Sequence, residues 1–318
     1  GRGIVIRVVF LGTAASRPTV GRNVSAVLVQ RLGETLLFDC GEGTQRQMMR
    51  YGTGFTVNDI FFTHMHADHL LGLPGLLRTM GLQGREEPMD LFGPPGSTRV
   101  LKDAIHLGVD RIQFPVEIRE LQPGQSLGDD DYEIMAFKVR HGTSAIGYRL
   151  KEFPRLGRFD VDLARELGIP EGPLFGQLHR GESVEVDGRT IHPEELVGPA
   201  RPGRTLVYTG DTRPTRETVE AAAGADLLIH EATFSLEDAA RAHETFHSTA
   251  HGAAEIALEA GVDALVLTHV SARYSENPAP LLKEAREVFA NTEVARDGLS
   301  LEIAYKPDGV EVPNASGA

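Results

Sequence analysis

Cysteine occurs once among the 318 residues and tryptophan not at all. A single thiol cannot close an intrachain disulfide, and no charged stub followed by a long apolar run marks the first residues. From both absences we expect a reducing, cytoplasmic setting. No apolar stretch reaches the roughly 18 residues that a spanning helix needs, so no membrane partner is expected. Basic charge is also scarce: 32 Lys and Arg face 45 Asp and Glu, a formal net charge of −13. That is the wrong sign for a general nucleic-acid-binding surface. Only Lys102, Lys138, Lys151, Lys283 and Lys306 are lysines. An acidic, lysine-poor surface suits a chain kept soluble in high salt, and a GC-rich coding sequence explains the arginine bias equally well.

What is present can build a large core. Hydrophobic residues make up 41% of a length that fits one large domain or two small ones. Residues 4–11 read IVIRVVFL and end in Gly12-Thr13, the pattern of a buried strand closed by a turn. Similar runs predict strands at 25–30, 35–38 and 60–63, then at 116–121, 133–139 and 145–150. Helical spacing over 70–80 is interrupted by Gly72, Pro74 and Gly75, which predicts a short or kinked helix. Ser97 is the expected N-cap of a helix over 97–107. A second round begins at Thr205, with strands at 226–230 and 264–268 and helices near 216–223, 249–260 and 279–289. Strands with few helices, then strands alternating with helices, predict an α/β chain of two mixed sheets packed between outer helices. The expected architecture is therefore a four-layer αββα sandwich over residues 1–305, with 306–318 as a frayed tail.

The strongest local signal is His64-Met65-His66-Ala67-Asp68-His69, H-x-H-x-D-H placed directly after a predicted strand. Imidazole nitrogens and carboxylate oxygens are the usual ligands of zinc-like ions, and four of them on one loop can face a common centre. His141, Asp211 and His269 each lie just past the end of a predicted strand, where a rigid sheet can hold ligands convergent. Five histidines and two aspartates exceed one tetrahedral zinc site but suit two ions sharing Asp211. Such a pair stabilises the attacking and leaving oxygens of an in-line displacement, so the chemistry implied is hydrolysis. Manganese and iron(II) tolerate the same N/O set.

This ligand series is similar to the metallo-β-lactamase superfamily, whose fold is the αββα sandwich. Four further segments resemble its ribonuclease Z family in the short form: FLGTAASRPTVGRN ending at Asn23, FDCGEGTQRQ beginning at Phe38, His230-Glu231-Ala232-Thr233, and His247-Ser248-Thr249. The resemblance implies a zinc-dependent endoribonuclease that removes the 3′ trailer from precursor tRNA, leaving a 3′-hydroxyl on the tRNA and a 5′-phosphate on the trailer. It assigns His64, His66 and His141 to one zinc ion and Asp68, His69 and His269 to the other, with Asp211 as bridge. Asp68 would also accept the proton of the attacking water, and His247, oriented by Glu231, would serve the leaving oxygen. Substrate contacts would come from Arg22, Asn23, Thr233, Ser248, Thr249 and Arg273. Val20 stands where the family pattern has a lysine.

Residues 151–203, rich in Pro and Gly, are too long for an ordinary loop. The resemblance makes them an arm that grips tRNA, with Gly172-Pro173 as its recognition element, and implies a homodimer in which one subunit's arm serves the other's site. Over 151–190 the segment has six basic and eight acidic residues, so a shallow salt dependence of tRNA binding is expected.

Several features have plainer readings. His243-Glu244-Thr245-Phe246-His247 spells the H-E-x-x-H protease motif, which works only on one continuous helix, and Ser248-Thr249 is expected to break that helix. Cys40 reads as a buried structural thiol, Met48 and Met49 as packing, and His251 as a helix residue. A hydrolase of small phosphodiesters or thioesters and a non-catalytic RNA-binding relative remain the alternatives.

Overall fold

The computed structural model describes residues 5–306 and 310–311. Its strands run in chain order as β1 (Ile6–Gly12), β2 (Ala26–Arg31), β3 (Glu34–Phe38), β4 (Asp59–Phe61), β5 (Met89–Gly93) and β6 (Val116–Glu120), then β7 (Ser126–Gly128), β8 (Tyr132–Lys138) and β9 (Ile146–Glu152). The short β10 (Val184–Val186) and β11 (Arg189–Ile191) precede β12 (Thr205–Tyr208), β13 (Leu227–Glu231), β14 (Ala264–Thr268), β15 (Thr292–Val294), β16 (Ser300–Ile303) and β17 (Val310–Glu311). One sheet has the order β17-β16-β1-β2-β3-β4-β5-β6 and the other β15-β14-β13-β12-β9-β8-β7. Both are mixed. The step from β3 through β6 is parallel, and so is the step from β12 through β15.

Alternation along the strands sets the layers. In β12 and β13, Leu206, Tyr208 and Ile229 line the seam between the sheets with Val27, Val29 and Phe38. Their neighbours Val207 and Leu228 point the other way, into a core with the helices Arg216–Ala221, Ala250–Ala260 and Ala279–Arg286. The first sheet's outer face is covered by Thr44–Arg50, Leu73–Leu82 and Ser97–Ile105, through Met48, Leu73, Leu77 and Leu101. Aromatic rings fill the seam: Phe38 and Phe61 meet Tyr148 edge-on at 5.7 and 5.4 Å, and the Tyr148 hydroxyl donates to the Phe62 carbonyl at 2.6 Å. Each fully buried Leu, Ile or Phe contributes about 1.5 to 3 kcal/mol. This is the four-layer αββα sandwich, and the parallel strands direct their carboxyl ends to one edge of it, where open α/β sheets place ligands.

The described residues divide into two compact units. The sandwich takes residues up to 129, 133–151 and those from 204 onward; the other unit comprises 130–132 and 152–203. That smaller unit has its own core of Ala164, Ile169, Leu178, Val184, Ile191 and Leu196. It carries the helices Val161–Glu166 and Pro173–His179 and the β10-β11 hairpin.

Local expectations needed correction in places. The helix expected over 70–80 is two pieces, Ala67–Leu70 and Leu73–Leu82. They part at Gly72, where a Cβ would lie 2.0 Å from the Gly41 carbonyl oxygen. Ser97 is not an N-cap: Gly96, at φ 88, holds that position, and the Glu120 carboxylate accepts from the Gly96 and Thr98 amides. Met48 is buried as expected, but Met49 is 70% exposed. The strands β5, β15 and β16 and the helices Thr44–Arg50 and Ala239–Glu244 carry too little periodicity to be read from sequence. Most of the expected tail, 307–309 and 312–318, lies outside the described residues. No described helix is long and apolar enough to cross a membrane.

Candidate metal centre

All seven candidate ligands lie at the carboxyl edge of the sandwich. β4 leads into His64, His66, Asp68 and His69; β8 into His141; β12 into Asp211; β14 into His269. The turn at Asp211 requires glycine before it, because Gly210 has φ 62 and a Cβ there would lie 2.6 Å from Thr63 Cβ. His269 itself adopts φ 58, in the left-handed region.

The side chains gather into two groups that share Asp211: His64, His66, His141 and Asp211, then Asp68, His69, Asp211 and His269, with the ligand atoms of each group within 4.8 Å of one another. Asp211 Oδ2 is 3.4 Å from His64 Nε2, and Oδ1 is 3.2 Å from both His69 Nε2 and His269 Nε2. Asp68 Oδ2 lies 3.4 Å from His69 Nε2 and 3.3 Å from His269 Nε2. His64 Nε2, His69 Nε2 and Asp211 Oδ1 are buried without a hydrogen-bond partner. Buried polar atoms are rarely left so, and these three point at common centres; the donor set fits divalent metal ions.

Outer partners fix which nitrogen of each ring faces inward. Asp39, at φ 60 just past β3, accepts from His69 Nδ1 at 2.7 Å, from Thr63 Oγ1 at 2.9 Å and from the Tyr208 hydroxyl at 2.8 Å. Thr63 Oγ1, its proton given to Asp39, accepts from His64 Nδ1 at 2.9 Å. Thr233 Oγ1 donates to Glu231 at 2.7 Å and accepts from His269 Nδ1 at 2.9 Å. His141 Nδ1 donates to the Phe246 carbonyl at 3.0 Å. Four rings are thus held with Nε2 toward the shared aspartate, which is how imidazole ligands are oriented in metal sites. Asp39, Thr63 and Tyr208 were not recognised from sequence; Asp39 stands in the FDCGEG segment, but nothing local marks it as the partner of residues 24 to 169 positions away.

The charges respond as this packing demands. Burial opposes ionisation of Asp211, yet His269, His69 and His64 hold its carboxyl well below the usual range. Burial likewise disfavours the Asp68 carboxylate, and the neighbouring His269 and His69 rings bring its pKa down. Burial drives His141 down to about 4, which keeps the ring neutral, as a ligand must be. At His69, burial is outweighed by Asp211 and Asp39 and the pKa rises well above normal.

Beside the second group, His247 Nδ1 lies 2.6 Å from Glu231 Oε1. Burial lowers the His247 pKa, but Glu231, helped by Asp211 and Asp68, raises it to about 9. Glu231 also accepts the amides of Thr212, Thr233 and Ser248 at 3.0, 3.2 and 3.1 Å. Those bonds saturate the carboxylate, so it orients His247 rather than offering a third ligand group. The H-E-x-x-H motif is broken as expected: the helix Ala239–Glu244 ends before Phe246, and Thr249 caps the next one by accepting from the Gly252 amide.

The expected substrate contacts divide. Arg22 is 5% exposed, and its guanidinium donates through Nε to the Ser275 carbonyl and through Nη1 to the Ala295 carbonyl and Thr13, so it braces the loop from within. Thr233, Ser248 and Thr249 are also buried, with hydroxyls engaged at Glu231, the Thr212 carbonyl and the Gly252 amide. In the free chain these four side chains are engaged with the protein itself, and the motifs they belong to build the site's frame. Asn23 donates to the Glu42 carbonyl, and Arg273 stays exposed beside Asp238 and Glu237. Val20 is fully exposed. Gly172, at φ 129, and Pro173 open a helix of the smaller unit. Cys40 is buried, which pushes its thiol up to about 12 and leaves it inert, and His251 pairs with Glu255 on its own helix.

Residues 19–269 match the family described as the metallo-beta-lactamase superfamily. A protein of Gemmatimonas aurantiaca named Ribonuclease Z is 59% identical, over 96% of this chain and 98% of its own. One of that name from Haloferax volcanii is 53% identical, over 94% and 96%. The crystal structure of human tRNase Z, short form, superposes with a TM-score of 0.67 at 27% identity, covering 96% of this chain and 99% of that one. The chain belongs to the metallo-β-lactamase superfamily and, within it, to the ribonuclease Z family.

Proposed function

We propose that the protein is an endoribonuclease that cleaves the 3′ trailer from precursor tRNA, leaving a 3′-hydroxyl on the tRNA and a 5′-phosphate on the trailer. The observation that carries this reading is the pair of ligand groups sharing Asp211 beside the Glu231–His247 pair, in a chain of the ribonuclease Z family. His64, His66 and His141 would hold one zinc ion and Asp68, His69 and His269 the other, with Asp211 common to both; manganese or iron(II) can substitute. When bound, the ions supply positive charge against the phosphate and raise the acidity of the attacking water.

The protein's own groups divide the proton work. Asp68, its Oδ2 held by the Ser16 amide at 3.0 Å, accepts the proton of the water that attacks phosphorus. As the bond between phosphorus and the tRNA 3′ oxygen breaks, His247 delivers a proton to that oxygen. Glu231 fixes the ring at Nδ1, so Nε2 is the nitrogen turned to the task. Asn23 and Arg273 serve the RNA backbone, and residues 151–203, with Gly172 and Pro173, form the arm that holds tRNA. We assign the working state to a cytoplasmic homodimer, in line with the family resemblance; light scattering of the purified protein at micromolar concentration tests the dimer.

The activity is tested by incubating metal-loaded protein and an Asp68→Ala variant with a 3′-extended tRNA precursor and mapping both new ends. Cleavage beside the discriminator base by the wild type, lost in the variant, is the expected result. Binding without cleavage by the wild type would leave a non-catalytic RNA-binding protein, and thioester hydrolysis without RNA cleavage would leave a small-ester hydrolase.

A further inference from the structure

Phe246 is a bulky residue at φ 60, in the left-handed region that an aromatic side chain occupies only when its surroundings hold it there. That conformation does two things at once. It turns the Phe246 carbonyl to within 3.0 Å of His141 Nδ1, and it sends the next residue, His247, onto Glu231. The same turn lets the His247 amide donate to the Ala242 carbonyl at 2.8 Å, closing the end of the helix Ala239–Glu244.

Arg213 is placed to hold that turn. Its guanidinium carbon lies 3.9 Å from the centre of the Phe246 ring, and both Nε, at 2.7 Å, and Nη2 donate to the His243 carbonyl, which also accepts the Phe246 amide at 3.3 Å at the end of the helix. Its backbone is anchored on the opposite side. The Arg213 amide donates to the Arg140 carbonyl at 2.9 Å, and the Arg140 amide donates to Thr212 Oγ1 at 2.9 Å. Three segments therefore meet at one residue: 140–141 with a candidate ligand, 211–213 with the shared aspartate, and 243–247 with the candidate proton donor.

We propose that Arg213 is a positioning residue for the reaction, clamping Phe246 in its left-handed turn so that the Phe246 carbonyl fixes the His141 ring and His247 reaches Glu231. Arg213 hydrogen-bonds to none of the candidate ligand side chains. The clamp needs a flat cation that stacks and donates together, which lysine cannot do. This inference rests on the reading of His141 as a metal ligand.

The test compares wild type, Arg213→Met and Arg213→Lys. Zinc affinity is measured by competition with a chromophoric chelator, kcat and KM on the 3′-extended precursor, and the melting temperature on metal-free protein. Arg213→Met is expected to weaken one zinc ion roughly 10-fold or more and to lower kcat by a similar factor. Its KM should stay within about two-fold and its metal-free melting temperature within a few degrees of wild type. Arg213→Lys, which keeps the donor to His243 but not the stack, should recover part of the loss. Zinc affinity and kcat unchanged in Arg213→Met overturn the proposal, and so does a drop in melting temperature with zinc affinity intact. If Arg213→Met does not fold, Arg213→Lys carries the same comparison. Wild-type protein that takes up no zinc sinks the ligand reading itself, a result distinct from failure of the clamp.

Discussion

Glu231 Oε1 lies 2.6 Å from His247 Nδ1, and the carboxylate cannot move to another partner because the amides of Thr212, Thr233 and Ser248 also hold it. A carboxylate so fixed sets the ring's tautomer and sharpens its direction. In Glu231→Gln the isosteric amide keeps one acceptor oxygen but removes the charge that favours a protonated His247. We expect kcat for precursor cleavage to fall by roughly 100-fold or more, with KM nearly unchanged, because the proton His247 delivers is needed as the bond breaks and not for binding. Equal loss in kcat and rise in KM would point to a collapsed site instead.

Asp39 offers a second lever on the same centre. It is fully buried and accepts from His69, Thr63 and Tyr208 and from the Thr63 amide, and Thr63 passes the effect on to His64. Asp39→Ala strands several buried donors. Metal affinity should drop roughly 10- to 100-fold, and the metal-free protein should lose about 3 kcal/mol of stability. Calorimetric metal titration and urea denaturation measure the two effects separately; a variant with normal metal affinity would refute the orienting role.

Much of this centre could be anticipated from sequence, and the reason is geometric. His64, His66, Asp68 and His69 fall within six consecutive residues, while His141, Asp211 and His269 each follow a short apolar strand, so strand-end position and residue type together mark them. Their partners carry no such mark. Asp39 is only an aspartate after a strand until its φ of 60 and the fold's two sheets bring Tyr208, 169 positions away, to its carboxylate. Arg22 shows a limit of another kind. Its motif invited a phosphate contact, but burial depends on Ser275 and Ala295 folding over it, which no local pattern reveals. β16 carries no local signal for a similar reason, since it is four residues long and owes its place to pairing with β1 from the far end of the chain.

Away from the centre, Asp59 gives stability a pH dependence of definite sign. It is half-buried, and burial, then the neighbouring Asp90, pushes its carboxyl up to about 6. An unfolded aspartate titrates near 3.9, so between about pH 4 and 6 the folded state holds a proton that the unfolded state has lost. Stability from this group is therefore fully present below about pH 4 and is lost as pH rises through about 6. Asp59→Asn keeps the neutral form throughout. After allowance for solvent screening at this partly exposed position, the variant should be more stable than wild type by on the order of 1 kcal/mol at about pH 8. No difference is expected at about pH 4. Thermal melts across that range check it; a benefit that grows toward acid would reverse the sign and refute the assignment.

Salt is the remaining handle, and it bears on the scarcity of positive charge. Of the six basic residues in 151–190, three are already paired: Arg165 with Glu171, Arg180 with Glu182 and Arg189 with Glu195. An arginine held by a neighbouring carboxylate neutralises less of the phosphate backbone and releases fewer condensed cations. Each phosphate fully neutralised on a duplex steepens the log–log dependence of affinity on salt by about 0.9. With so few free cations on the arm, a slope of magnitude about 4 or less is expected for tRNA binding. Fluorescence anisotropy of labelled tRNA, titrated over a range of potassium chloride with the metal ions held constant, measures it directly. A slope steeper than about 6 would show that arginines paired in the free protein exchange their carboxylates for phosphates on binding, and Arg165→Gln would then be the variant that flattens it.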